Sequence, residues 1–288
     1  MLSRRNVDNL ATSANDSENR KFNMKIRLVG LSLLAGMTLS IVAAPLTQST
    51  FTDVIKDVNV VTAETKATTP AQVNAVVKAP DLVRTGPASR AELAALDQTI
   101  TRVGANSVFS FEPKGRELHL EQGSVLFYSP KGKGGGAIKS GGASAAVLGS
   151  TMICVAATDG AFETIFLEGK ACKVSLKNGK SVILHAGQMV GVLPGQEEFG
   201  PVLDIDLGRL AETSLLVSGF SHPLGSLSLI QTAGRDQKKR MAKSGRNQPP
   251  TAETVDNNAY STLTLPSTPR PTGVPPNVNK PQPPGFPR

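Results

Sequence analysis

The sequence contains no tryptophan, two tyrosines, two cysteines and three histidines. So few cysteines and histidines exclude a zinc-cluster protein or a disulfide framework. Charged residues make up only 19% and hydrophobic residues 39% of the 288 positions, so part of the chain stands outside any core. What the sequence has in excess is positive charge, a formal net of +8. That charge is unevenly placed. Residues 1–52 carry a net of +3, residues 53–205 a net of 0 and residues 206–288 a net of +5. The neutral middle lacks the basic character of a folded nucleic-acid-binding domain, and no specific nucleic-acid partner is expected.

Long apolar runs are also missing, with one exception. Leu28 to Leu46 is apolar and diluted by Gly and Ser, with Lys25 and Arg27 ahead of it and Val42-Ala43-Ala44 near its end. This reads as a secretory signal peptide. The alternative is a single membrane anchor, since the stretch is long enough to cross a bilayer. Met24 offers a second start, which would make residues 1–23 a polar extension and residues 24–46 the targeting or anchoring segment. The expected location is periplasmic or secreted, with membrane contact only through Leu28–Leu46 if it is not cleaved.

From 53 to about 200, short alternating runs such as Leu118-His119-Leu120-Glu121 and Lys173-Val174-Ser175-Leu176 are separated by turn pairs. Asp159-Gly160, Asn178-Gly179 and Pro194-Gly195 are such pairs. The period of two predicts strands with one buried face, and hence an all-β, rolled sandwich or barrel-like domain of short strands. Ser89–Leu96 is read as a short helical turn and Asp206–Val217 as a longer helix within a packing extension over 201–231. Residues 232–288 read as a basic linker, Arg235–Arg246, followed by a disordered tail in which 11 of the last 40 residues are Pro.

Ordered motifs within the β region resemble a known family. Pro80-Asp81-Leu82-Val83-Arg84-Thr85-Gly86 is followed by Asp97-Gln98-Thr99-Ile100-Thr101-Arg102-Val103-Gly104-Ala105-Asn106-Ser107. Leu120-Glu121-Gln122-Gly123, Val147-Leu148-Gly149-Ser150-Thr151, Leu167-Glu168-Gly169 and Ala186-Gly187-Gln188 come next. The series resembles the FecR domain, with Gln98 where that family usually has Gly. The resemblance implies a bacterial, extracytoplasmic, non-enzymatic β domain, which in well-known members relays a signal to a sigma factor. Those members resemble one another in a cytoplasmic helical segment of some 80 residues before the membrane span. Here 27 polar, unpatterned residues precede Leu28.

The contact residues expected from the sequence fall in two groups. Pro130–Gly142 is rich in Gly and carries Lys131, Lys133 and Lys139, which reads as a hairpin tip between strands ending near Tyr128 and starting near Ala143, or as an anion-cradling loop. Arg84, Arg90 and Arg102 read either as a site for an acidic glycan or as surface charges paired with Asp81, Glu92 and Asp97. Cys154 and Cys172 read as buried free thiols. No catalytic, cofactor or metal residues are assigned. The sequence thus points to a binding module with an envelope protein or glycan as its partner. A transmembrane regulator and a carbohydrate-active protein remain the alternatives.

Overall fold

The computed structural model describes residues 44–243, so the Leu28–Leu46 segment up to Ala43 and the Pro-rich tail lie outside the described residues. Seventeen strands make up the largest share of the regular structure in the described chain. The first eight are β1 Gln48–Ile55, β2 Val58–Val61, β3 Thr68–Pro70, β4 Val76–Lys78, β5 Leu82–Thr85, β6 Arg90–Ala94, β7 Ile100–Val103 and β8 Val108–Phe111. The long strand β9 covers Glu117–Tyr128. There follow β10 Gly136–Ser140, β11 Ala143–Val147, β12 Thr151–Ala156, β13 Phe162–Glu168, β14 Cys172–Leu176, β15 Ser181–Leu184, β16 Gln188–Val192 and β17 Leu203–Asp204.

They form two sheets that share β9. One runs β4-β1-β6-β7-β9-β12-β13-β16-β17 and is antiparallel throughout. The other runs β3-β2-β5-β8-β9-β10-β11-β14-β15, with one parallel pairing between β9 and β10. The two halves of β9 part at Gly123. Residues 118–122 pair with β8, and residues 123–128 pair with β12. Gly123 has a φ of +90°, and a Cβ there would overlap Ser107. Only glycine combines that conformation with that approach. This is the physical content of the Leu120–Gly123 motif.

The core between the sheets takes Leu118 and Leu120 from one half of β9, and Val125 and Phe127 from the other. Phe51, Phe109, Phe111, Met152, Phe162 and Phe166 are among its other members. The alternate residues of the first sheet, Leu126, Ile153, Ile165, Leu167 and Met189, form a second core beneath the carboxyl-terminal helices. The first sheet is therefore covered on both faces along β9, β12, β13 and β16, and the outer face of the second is open. The all-β, rolled fold expected from the alternating pattern is present.

Four local expectations are corrected. Ser89–Leu96 contains the strand β6 rather than a helical turn, because its alternate residues Ala91 and Leu93 enter the core. Asp206–Val217 is two helices, α1 Leu207–Thr213 and α2 Leu215–Ser218, broken at Ser214, whose extended backbone ends one and starts the other. Asp206 caps α1 by accepting from the Arg209 N–H at 3.0 Å. The basic stretch from Arg235 is not a linker as far as Lys243 but belongs to α3, Leu227–Lys243. Pro130–Gly142 is not one hairpin tip, because its second half is strand β10.

Helix α3 buries Ile230, Gly234 and Gln237 while its lysines and arginines face water. Gly234 allows close approach to α1, since a Cβ would stand 3.3 Å from the Gly208 nitrogen. Gln237 donates to the Ile205 carbonyl at 2.6 Å and to that of Gly187 at 3.2 Å, and accepts from the Leu207 N–H at 3.3 Å. A buried amide with all these partners substitutes for an apolar contact.

Candidate functional site

The three arginines singled out in the sequence do not form one set. Arg84 is exposed on β5 in the second sheet. Arg90 opens β6 in the first sheet, half-buried, with its Nε 3.4 Å from the Gly219 carbonyl. Arg102, on β7, is fully buried at 0% exposure and so cannot meet a ligand at the surface. Its Nε donates to Glu92 Oε2 at 2.7 Å. Its Nη1 donates to the carbonyls of Val217 at 2.7 Å and Leu216 at 3.2 Å, and its Nη2 to that of His222 at 2.7 Å. The guanidinium also stacks 4.4 Å from the Phe220 ring centre. Burial pulls the Arg102 pKa down, and the Glu92 carboxylate opposes this.

This arrangement is a latch. Arg102 holds the backbone of residues 216–222 against the first sheet, and Glu92 is in turn fixed by Thr52 Oγ1 at 2.7 Å. Asp53 adds a second attachment, accepting from both the Ser221 N–H at 2.9 Å and Oγ at 2.8 Å. Partial burial acts to raise the Asp53 pKa, but the hydrogen bonds from Ser221 and the Val54 backbone together hold the carboxyl below its ordinary value. Of the pairings expected for surface charges, Arg102 does meet Glu92, but inside the protein. Asp97 pairs with Arg116 at 2.8 Å, and Asp81 accepts from the Ala63 N–H at 2.9 Å.

The other motif residues also shape the domain. Thr85 Oγ1 donates to the Gly104 carbonyl at 2.6 Å and accepts from the Ser107 N–H at 2.9 Å, and Ser107 Oγ takes the Ser124 N–H at 2.9 Å. Gln98 sits in the turn between β6 and β7 with a φ of +71°.

Lys131 and Lys133 are exposed in the loop before β10. Lys139 is on β10, opposite His119 in register, and pairs with Glu117 across the open face of the second sheet. The loop and the arginines are therefore dispersed over several surfaces. Among the described residues, no three His, Cys, Asp or Glu side chains gather as metal ligands. His119 is half-buried, and His185 and His222 are exposed.

Two buried acids were not anticipated by the sequence reading. Glu163 Oε1 is buried without a hydrogen-bond partner, and burial pushes its pKa up to about 8. Glu168 is 4% exposed and accepts from Thr151 Oγ1 at 2.6 Å; burial raises its pKa against that bond and the charge of Lys131. Even periodicity disguised both, because each stands on a strand buried on two faces. Cys154 and Cys172 are free and buried, as read from the sequence, with Cys172 Sγ 3.9 Å from Met152 Sδ. Burial pushes the Cys172 thiol up to about 12 and raises that of Cys154 strongly, so neither is a ready nucleophile.

No helix of the described residues is long and apolar enough to cross a membrane. No curated protein matches the chain. Two crystal structures of a candidate anti-sigma factor from Parabacteroides distasonis ATCC 8503 align at 16% identity over 43% of this chain, with a TM-score of 0.38. The chain spans 59% of the length of that protein. Residues 81–172, from the approach to β5 to the first residue of β14, match the family model described as FecR protein.

Proposed function

We propose that the chain is a non-enzymatic, extracytoplasmic binding module of the bacterial cell envelope, built on a FecR domain. The observation that supports this most is the use made of its motif residues. Arg102 is buried in a latch, Gly123 forms the bend of β9, Thr85 and Ser107 brace a corner, and Gln98 holds a turn. The motif supplies shape, and contact falls to the surface: the sheet edges and the loop carrying Lys131 and Lys133, with Arg84 and Lys139 as further polar contacts. The partner is an envelope protein or a glycan. Photo-crosslinking from Ser144 or Lys133 in the full chain, followed by recovery from envelope extracts, should yield one reproducible partner. Recovery of nothing above the uncrosslinked control would overturn the reading.

The FecR match also favours a second reading, a transmembrane signal regulator. It requires Leu28–Leu46 to persist as an anchor. The mass of the mature protein separates the two, because loss of the first 44 or so residues leaves no anchor of this kind.

A further inference from the structure

We propose that one end of the β domain, the end at which Ala44 stands, docks on an anionic lipid bilayer. The inference rests on the envelope location proposed above with Leu28–Leu46 retained as an anchor. Arg116 defines this end. Its guanidinium donates to the Ala44 carbonyl at 2.8 Å, to Thr99 Oγ1 at 2.9 Å and to the Gly135 carbonyl at 2.7 Å, and pairs with Asp97 at 2.8 Å. One planar group thus gathers the start of the described chain, the turn between β6 and β7, and the loop before β10.

Each of those two segments lies beside an unusually exposed leucine. Leu96, next to Asp97, is 93% exposed, and Leu148 is 78% exposed, the two highest values among the exposed large apolar residues described. Leu148 adjoins Gly135, where a Cβ would come within 2.8 Å of the Leu148 Cα. Leucines on turn tips with so little of their surface covered are poor neighbours for water and suited to a headgroup layer.

The charge around them is positive. Lys131 packs its backbone on Gly149, whose Cβ would stand 2.9 Å from the Lys131 Cα. Lys133 shares its loop. Lys114 belongs to the hairpin whose Gly115 carbonyl takes the Leu46 N–H at 2.7 Å. Lys170 follows Gly169, which abuts Ser150. All four lysines are exposed. The nearby acids are occupied: Asp97 by Arg116, Glu117 by Lys139, and Glu168 by burial. Glu112 is half-buried on the same hairpin as Lys114. Lysines of this kind favour an anionic lipid surface.

The sequence supplies the reason the occupant is a membrane. The apolar stretch Leu28–Leu46 leads into this same end, and its last residue, Leu46, is already 2% exposed in the core of the domain. Only the exposed Ala44 and Pro45 separate residue 43 from the buried Leu46, a reach of under about 10 Å at 3.3–3.6 Å per residue. Apolar chain inserted in a bilayer would leave no slack for the domain to stand away from it.

The test uses the full chain reconstituted in vesicles. Because Cys154 and Cys172 are buried, Leu96→Cys, Leu148→Cys or Lys177→Cys each provides one accessible thiol for an environment-sensitive fluorophore. Lys177 marks the far end, at the turn between β14 and β15. In phosphatidylglycerol vesicles carrying a quencher lipid, emission at 96 and 148 should shift blue and be quenched at least about twofold more than at 177. Lys131→Gln with Lys133→Gln should reduce that difference, as should phosphatidylcholine alone. Labels at 96 and 148 as water-exposed as the one at 177 overturn the docking. A blue shift that appears without lipid as protein concentration rises also overturns it, in favour of a second copy of the chain. Either result leaves the envelope location standing, which cell fractionation of the native chain tests separately.

Discussion

Glu92 and Arg102 face each other directly across β6 and β7, and the 2.7 Å ion pair between them is closed to solvent. A buried pair of this kind is weak evidence for stability as a whole, but breaking it from one side is severe. Arg102→Met should destabilise the domain by about 3–5 kcal/mol in chemical denaturation. Arg102→Lys should not rescue it, because an ammonium cannot serve Glu92 and three carbonyls in one plane. Hydrogen exchange should rise selectively over residues 216–222. Unchanged exchange there would contradict the latch.

Gln98 has a φ of +71°, a conformation unfavourable to a side chain. Gln98→Gly should therefore stabilise the protein by about 1 kcal/mol, seen as a rise in Tm. A fall in Tm would mean that the Gln98 side chain earns its position through contacts that outweigh the strain.

Gly123 and Gly179 have similar φ values, +90° and +86°, but different surroundings. A Cβ at 123 would overlap Ser107, whereas one at 179 meets nothing within 4 Å. Gly179→Ala should cost only the backbone strain, about 1–2 kcal/mol. Gly123→Ala should cost clearly more, or prevent folding, as measured by soluble yield and denaturation midpoint.

Glu163 has its pKa raised from 4.5 to about 8 by burial. The folded form holds a proton that the unfolded chain releases, so the contribution of this group is fully present below about pH 4.5 and is lost as pH rises toward 8. The slope should approach about 1.4 kcal/mol per pH unit if no water or side chain relaxes around the group. Glu163→Gln should flatten the stability profile in that window. A wild-type profile already flat between pH 5 and 8 would refute the assignment.

Cys154 and Cys172 should resist thiol reagents in the native protein and yield two thiols in non-reducing denaturant. Rapid native labelling of either would contradict the burial.

Much of this architecture was legible where a strand has one dry and one wet face. Lys173-Val174-Ser175-Leu176 shows that pattern, and β14 follows it with Val174 inward and Lys173 outward. The pattern fails where both faces are dry. Met152 and Ile153 are neighbours on β12 that point into two different cores, so their apolar run carries no parity. Helix α3 was hidden for the opposite reason, because the residues that turn inward include Gly234 and Gln237, which no apolar periodicity marks. The Arg102 latch was invisible because its carbonyl partners lie more than a hundred residues away. An isolated arginine in a strand motif reads as a surface charge until the segment that covers it is placed.

The latch grips main-chain oxygens, which every residue provides. The side chains of the segment serve other contacts: Leu216 and Val217 enter the second core, Phe220 stacks on the guanidinium and Ser221 binds Asp53. The FecR match ends at residue 172, yet the buried surface of the first sheet is completed only by residues 203–237. A truncation drawn at the edge of the match would expose Leu126, Ile153 and Ile165 to water and strand a charged arginine in the newly opened face.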